Sequence, residues 1–295
     1  MQRDWSGVGT ALVTPFTAAG EIDEPALRKT IERQVEGGVH FVVPCGTTGE
    51  TPTLSRDERD LVVRTAVDVC RGKISVLAGV GGYDTMEVAE IAAHTETLGV
   101  QGILSVTPYY NKPTQEGLFQ HYKAIASHTK LPIIVYNVPS RTGCNVEPRT
   151  LARLSAIENI VGVKEASGNM TQQCEVCRLV PSNFTVLYGD DAMALPLMAV
   201  GGRGVISVAS NVVPDRMAKM VNAALAGDFA AARAEHTALL NFMNVNFVES
   251  NPIPVKAAMA MLGLCEEVYR LPMVPPSDAS RAKVRQALVE LGLLR

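Results

Sequence analysis

One unit recurs along this chain: a short apolar run rich in β-branched residues, a turn, then a longer amphipathic stretch. The strand-like runs are Val8 to Val13, Phe41 to Pro44, Ile74 to Gly79, Gly102 to Val106, Pro132 to Asn137, Ile160 to Lys164, Phe184 to Gly189 and Gly204 to Val208. Helix-like text follows each run, near residues 24–37, 55–71, 84–98, 115–128, 147–155, 170–179, 191–199 and 214–226. Ser55 and Glu58 form a capping box at one helix start, and Gly37, Gly72 and Gly99 close helices. Strands apolar at consecutive positions need cover on both faces, as parallel strands do. Eight βα units predict an α/β fold, a (β/α)8 TIM barrel, over an open doubly wound sheet. No Gly-x-Gly-x-x-Gly follows the first run, where residues 10–16 read TALVTPF, so a dinucleotide site is not expected. After Gly227 the strand pattern stops, and helical text fills 228–250, 254–263 and 278–292. The expected organisation is a catalytic barrel over 1–227 and a C-terminal helical extension over 228–295.

The charge balance, 27 basic against 30 acidic residues without a run of like charges, gives nucleic acid no electrostatic footprint. Apolar runs such as Leu131 to Val135 are strand-sized, far below the ~20 residues of a membrane span. No signal-like segment opens the chain. A soluble, cytoplasmic protein is expected, and its six cysteines are read as reduced, mostly buried thiols.

Barrel chemistry sits where the strands end. Those ends carry Gly46-Thr47-Thr48-Gly49-Glu50, Thr107 to Asn111, Tyr136 to Pro139 with Arg141 beyond, Lys164-Glu165, and Tyr188-Gly189-Asp190. Of nine lysines, Lys164 alone terminates a strand-like run. A desolvated lysine has a lowered pKa and attacks carbonyls as an amine; an internal ion pair with Glu165 is the competing reading. Tyr136 ends the neighbouring strand, where a phenol could shuttle protons or simply fill space. The Gly46–Glu50 turn offers hydroxyls and N–H groups to a small carboxylate. Arg141 could grip a second carboxylate with its planar fork, or stand free at the surface.

Other chemistries lack parts. The five histidines include no His-x-His on a strand and no His-Glu-x-x-His, so no metal is expected. Cys174-x-x-Cys177 is a single pair inside a helix, and Cys45 has no histidine placed to activate it. Gly201 to Gly204 precede the eighth strand, at the wrong end for a phosphate, and Asp190 and Asp191 would repel one.

The motifs GTTGE (Gly46–Glu50), TPYYNKP (Thr107–Pro113), YNVPSRTG (Tyr136–Gly143), GVKEASGN (Gly162–Asn169), GDD (Gly189–Asp191), GGRGVISV (Gly201–Val208) and NPIPVK (Asn251–Lys256) stand in order along nearly the whole chain. Together they resemble the dihydrodipicolinate synthase branch of the Schiff-base pyruvate aldolases. The resemblance implies that Lys164 forms the imine with pyruvate, without a cofactor, and that Tyr136, Thr47 and Tyr110 relay protons. It further implies that Thr48 holds the pyruvate carboxylate, that Arg141 holds the carboxylate of L-aspartate 4-semialdehyde, and that Gly189 and Ile206 line the pocket with carbonyls. The tyrosine matching Tyr110 reaches into a neighbouring subunit in the family, so at least a dimer, and a homotetramer built as a dimer of dimers, is expected. N-acetylneuraminate lyases and 2-keto-3-deoxy-sugar aldolases share Lys164 and Tyr136, but their neutral acceptors leave no use for Arg141. A non-catalytic carbonyl sensor would not need the whole relay. Some members bind lysine as a feedback inhibitor. Here Thr51, Glu87 and Tyr109 stand at that site, yet Arg56 and Arg59 replace histidines and Tyr83 an asparagine, so weak or absent inhibition is expected.

Overall fold

The computed structural model describes residues 4–295. Eight strands form one closed, all-parallel barrel, each paired with its sequence neighbour and the last with the first. They are β1 (Gly7–Ala11), β2 (Phe41–Val43), β3 (Ser75–Gly81), β4 (Gly102–Val106), β5 (Ile133–Asn137), β6 (Ile160–Glu165), β7 (Thr185–Tyr188) and β8 (Gly204–Ser207). Around them run α1 (Glu24–Glu36), α2 (Arg56–Cys70), α3 (Thr85–Glu96), α4 (Gln115–His128), the single turn α5 (Pro139–Thr142), α6 (Pro148–Leu154), α7 (Met170–Leu179), α8 (Ala194–Ala199) and α9 (Pro214–Leu225). The extension adds α10 (Phe229–Val245), α11 (Ile253–Met261) and α12 (Asp278–Glu290). The barrel and its helical extension agree with the sequence reading, and among the described residues no helix is long and apolar enough to cross a membrane.

Period-two alternation divides the apolar residues into two cores. Inward-facing Phe41, Leu77, Leu104, Ile134, Leu187 and Ile206 fill the barrel, with Trp5 among them. Outward-facing Val8, Val42, Ile103, Ile133, Val135, Val163 and Val205 join the helix layer. Neither face meets water, which is why the strands read as unbroken apolar runs.

Local signals act as expected at α2. The Ser55 hydroxyl accepts from the Glu58 amide at 3.2 Å, and the Glu58 carboxylate accepts from the Ser55 amide at 2.8 Å. At α1 the left-handed closing residue is Gly38 (φ 75°) rather than Gly37, which keeps helical geometry. The first strand ends at Ala11, two residues short of its apolar run, because the Val13 amide turns to the Asn211 side chain at 3.1 Å. α11 is buried on all sides from Ile253 to Met259, with Lys256 as the one charge inside it.

Candidate active site

Lys164 lies on β6 beside Tyr136 of β5, the two being directly paired in the sheet register. Alternation turns Lys164 into the barrel, and its Nζ stands 4.3 Å from the centroid of the Tyr136 ring. Lys164 is 5% and Tyr136 8% exposed. Glu165 does not pair with Lys164, which removes the competing reading of Lys164 as half of an internal ion pair. Facing outward, it accepts from Asn137 Nδ2 at 2.9 Å and from the Ser167 amide at 2.7 Å. Each oxygen of this carboxylate thus has one neutral donor.

The lysine stem fits because glycine flanks it. A Cβ on Gly189 would stand 3.1 Å from Lys164 Cε and 2.6 Å from Ala166 Cβ. Ile206 lies fully buried in the same interior. Behind them, Asp191 accepts from the Val208 and Ala209 amides at 3.0 and 2.8 Å, fixing the turn after β8. Burial pushes its carboxyl up to about 6. Asp191 therefore serves the backbone, a role that its charge alone did not announce.

The Gly46–Glu50 segment winds into two short 3-10 turns, Thr47–Gly49 and Thr51–Thr53, joined at Glu50 with φ 53°. Hydroxyls lock it: Thr14 donates to the Gly49 carbonyl, Thr51 to that of Gly46 and Thr53 to that of Glu50, all within 2.9 Å. Thr48 is 2% exposed, and its Oγ1 accepts from Asn251 Nδ2 at 2.9 Å. Arg141, on the turn α5, stays exposed and reaches the Asn251 carbonyl at 3.5 Å.

A cavity of about 800 Å³ opens here, lined at the barrel mouth by Thr47, Tyr136, Val138, Arg141 and Asn251. Lys164 is not among its lining residues; it lies against the ring of Tyr136, which is. Tyr110 stands apart, 91% exposed with φ 70°, and among the described residues no hydrogen bond joins it to Tyr136 or Thr47. Cys45 also lines the cavity, but burial pushes its thiol up to about 12, which leaves it a core thiol. Cys174 and Cys177 sit on α7, away from this cavity.

The cavity continues between α2 and α3, where Thr51, Arg56, Arg59, Glu87 and Tyr109 line it. Tyr83 packs edge-on against Tyr109 with ring centroids 5.3 Å apart. Arg59 is fastened to the carbonyls of Leu54 and Thr51 at 3.2 and 3.3 Å. Deeper in the cleft, His94 pairs with Asp60 at 2.8 Å. Neither this pair nor Asn251 was singled out from the sequence. The NPIPVK motif was the only signal for Asn251, and nothing in it names a partner.

The sequence model of the dihydrodipicolinate synthetase family matches residues 4–291. The chain belongs to this family. A 4-hydroxy-tetrahydrodipicolinate synthase of Koribacter versatilis (strain Ellin345) is 52% identical over 98% of this chain and 97% of its own. Its counterpart in Syntrophus aciditrophicus (strain SB) is 49% identical over 98% and 99%. The crystal structure of dihydrodipicolinate synthase from Aquifex aeolicus superposes with a TM-score of 0.96 at 44% identity, covering 98% of this chain and 99% of that one. In the dihydrodipicolinate synthetase fold, then, Lys164 and Tyr136 occupy the barrel interior, and the Gly46–Glu50 segment and Arg141 stand at its mouth.

Proposed function

We propose that this protein is a 4-hydroxy-tetrahydrodipicolinate synthase, condensing pyruvate with L-aspartate 4-semialdehyde through a Schiff base on Lys164. The observation that carries the reading is a buried lysine amine against a tyrosine ring inside the barrel, below a mouth lined by Thr47 and Arg141.

The neutral Lys164 amine attacks the ketone carbon of pyruvate, and loss of water gives the imine. Thr48 and the surrounding N–H groups hold the pyruvate carboxylate. Tyr136 takes and returns protons, with Thr47 and the Tyr110 of a second subunit completing the relay. Loss of a methyl proton turns the imine into an enamine. Its terminal carbon attacks the aldehyde, a carbon–carbon bond forms, and the aldehyde oxygen takes up a proton. The amine of the second substrate then adds to the imine carbon, Lys164 leaves as the free amine, and the ring closes. Arg141 orients that substrate through its carboxylate, while Gly189 and Ile206, beside Lys164 in the barrel interior, would turn their carbonyls toward the imine. No step calls for a cofactor or metal.

The exposure of Tyr110 suits a residue that works in a neighbouring copy, and a homotetramer arranged as a dimer of dimers is the assembly that would use it. We assign catalysis to the barrel over 1–227, with the helices of 228–295 supporting its mouth, and place the enzyme in the cytoplasm.

The test is consumption of pyruvate with L-aspartate 4-semialdehyde, run beside N-acetylmannosamine and glyceraldehyde. Turnover with the semialdehyde alone is expected. Turnover with a sugar aldehyde alone would keep the Schiff base but move the protein to the lyase branch of the fold, and Arg141 would lose its assigned role.

Lysine should inhibit weakly or not at all. Arg56 adds fixed positive charge to the α2–α3 cleft, and the tethered Arg59 cannot swing away from an incoming ammonium. Sub-millimolar lysine is expected to leave the initial rate unchanged within about twofold. A steep fall in rate over that range would show that Glu87 and the tyrosines outweigh both arginines.

A further inference from the structure

The NPIPVK segment, Asn251 to Lys256, lies in the helical extension, yet it grips the Gly46–Glu50 segment at two points more than 200 residues away in sequence. Lys256 pairs with Glu50 at the far end of the segment, and Asn251 meets Thr48 at its centre. We propose that Asn251 is a positioning residue that sets the direction in which the Thr48 hydroxyl donates. The inference rests on the reading in which Thr48 holds the pyruvate carboxylate.

A threonine hydroxyl carries one hydrogen and two lone pairs, and it can spend that hydrogen only once. A partner that accepts from Thr48 would consume it. Asn251 instead offers its Nδ2, 2.9 Å from Thr48 Oγ1, so the hydroxyl accepts from the extension and keeps its hydrogen for another acceptor. Among the described residues, no acceptor receives it. A carboxylate arriving at the mouth is a strong acceptor for such a hydrogen. Thr48 and Asn251 are only 2% and 4% exposed, so water competes poorly for the bond between them.

Two backbone contacts flank the Asn251 side chain. Its backbone carbonyl faces Arg141 Nη2 at 3.5 Å, and two residues on the Ile253 carbonyl accepts from the Tyr269 hydroxyl at 2.9 Å. Its own Oδ1 is buried without a partner among the described residues, so the bond to Thr48 is the one hydrogen bond of that side chain. One residue of the extension thus touches both side chains expected to hold substrate carboxylates.

The experiment is a double-mutant cycle in the intact enzyme, with KM for pyruvate and kcat measured separately and pyruvate trapped on Lys164 by borohydride. Asn251→Ala should raise KM for pyruvate on the order of tenfold with kcat within about threefold, since a bond to the carboxylate serves ground state and transition state alike. Asn251→Asp keeps the shape but can only accept, so it should be worse than alanine by about a further tenfold. In a Thr48→Val background both penalties should shrink to less than about twofold, because no hydroxyl remains to be turned. If the aspartate penalty persists there in full, simple charge repulsion explains it and the proposal fails. Equal penalties from alanine in both backgrounds would likewise overturn it, since Asn251 would then act independently of Thr48. If Thr48→Val alone leaves KM for pyruvate unchanged, the assignment of Thr48 is what falls. Should the alanine variant not fold, the aspartate comparison in the two backgrounds decides the matter alone.

Discussion

Replacing Lys164 with alanine should abolish condensation, lowering kcat/KM by on the order of 10⁴ or more, because the reaction loses its covalent route rather than one stabilising contact. Lys164→Arg separates the nucleophile from the charge. Arginine keeps a cation against the Tyr136 ring, but its guanidinium stays protonated and has no free amine to attack a ketone. If Lys164 acted only as a fixed positive charge, the arginine variant would retain much of the activity; the imine mechanism requires it to be as dead as alanine. Borohydride added with pyruvate should leave the wild-type chain heavier by one reduced pyruvate, and neither variant should gain that mass. An arginine variant holding more than about a tenth of wild-type kcat would overturn the nucleophile assignment. Thermal unfolding separates chemistry from folding, since a variant that melts like wild type has lost activity for a local reason.

The place of Lys164 inside the barrel is legible in the sequence because two local rules converge on it. The run from Ile160 to Val163 is apolar at every position, so the strand is covered on both faces, and strand alternation then sends Lys164 and Glu165 to opposite sides. The barrel was readable for the same reason: each βα unit announces itself within about 30 residues, and consecutive parallel strands pair with their neighbours. Element ends were less legible. Leu12 and Val13 are as apolar as the strand they follow, but Asn211, nearly 200 residues on, takes the Val13 amide out of the ladder. The site shows the same division. Thr47, Tyr136 and Arg141 stand at strand ends, where topology alone puts them at the mouth, whereas Asn251 and Lys256 reach it from a helical tail with no strand register. Periodicity reports which face of a helix is buried and is silent about what lies against it. For α11, buried all round, even the face carries no information.

The ion pair that Lys256 of that helix makes with Glu50 should be the most costly to break outside the barrel interior. Lys256 is fully buried, donates to the Val268 carbonyl at 2.9 Å and packs its ammonium 4.2 Å from the centroid of the Phe16 ring. Burial pushes the lysine pKa down and the adjacent Glu50 carboxylate opposes that. Glu50 also accepts from the Arg270 amide at 3.2 Å, so one carboxylate ties together the barrel mouth, α11 and the chain beyond it. Lys256→Ala would leave Glu50 in place, 4% exposed and without its buried counter-charge, at a cost of about 3–5 kcal/mol. A pair of this kind need not be net stabilising against a well-packed apolar substitute, however, because both ions gave up their hydration to form it. The double variant Glu50→Gln/Lys256→Met tests that distinction: it removes both charges, keeps an acceptor for the Arg270 amide and fills most of the lysine's volume. It should recover more than half of the loss in denaturant midpoint seen for Lys256→Ala. Recovery of stability need not restore binding, because Glu50 closes the turn that carries Thr47 and Thr48 at a left-handed φ of 53°, and without the pair nothing charged holds that turn to α11. The double variant is therefore expected to regain most of the lost stability yet to need several-fold more pyruvate, roughly three- to tenfold by KM. A Lys256→Ala variant within about 1 kcal/mol of wild type would mean that water reaches Glu50 and that the extension is held to the mouth by packing alone.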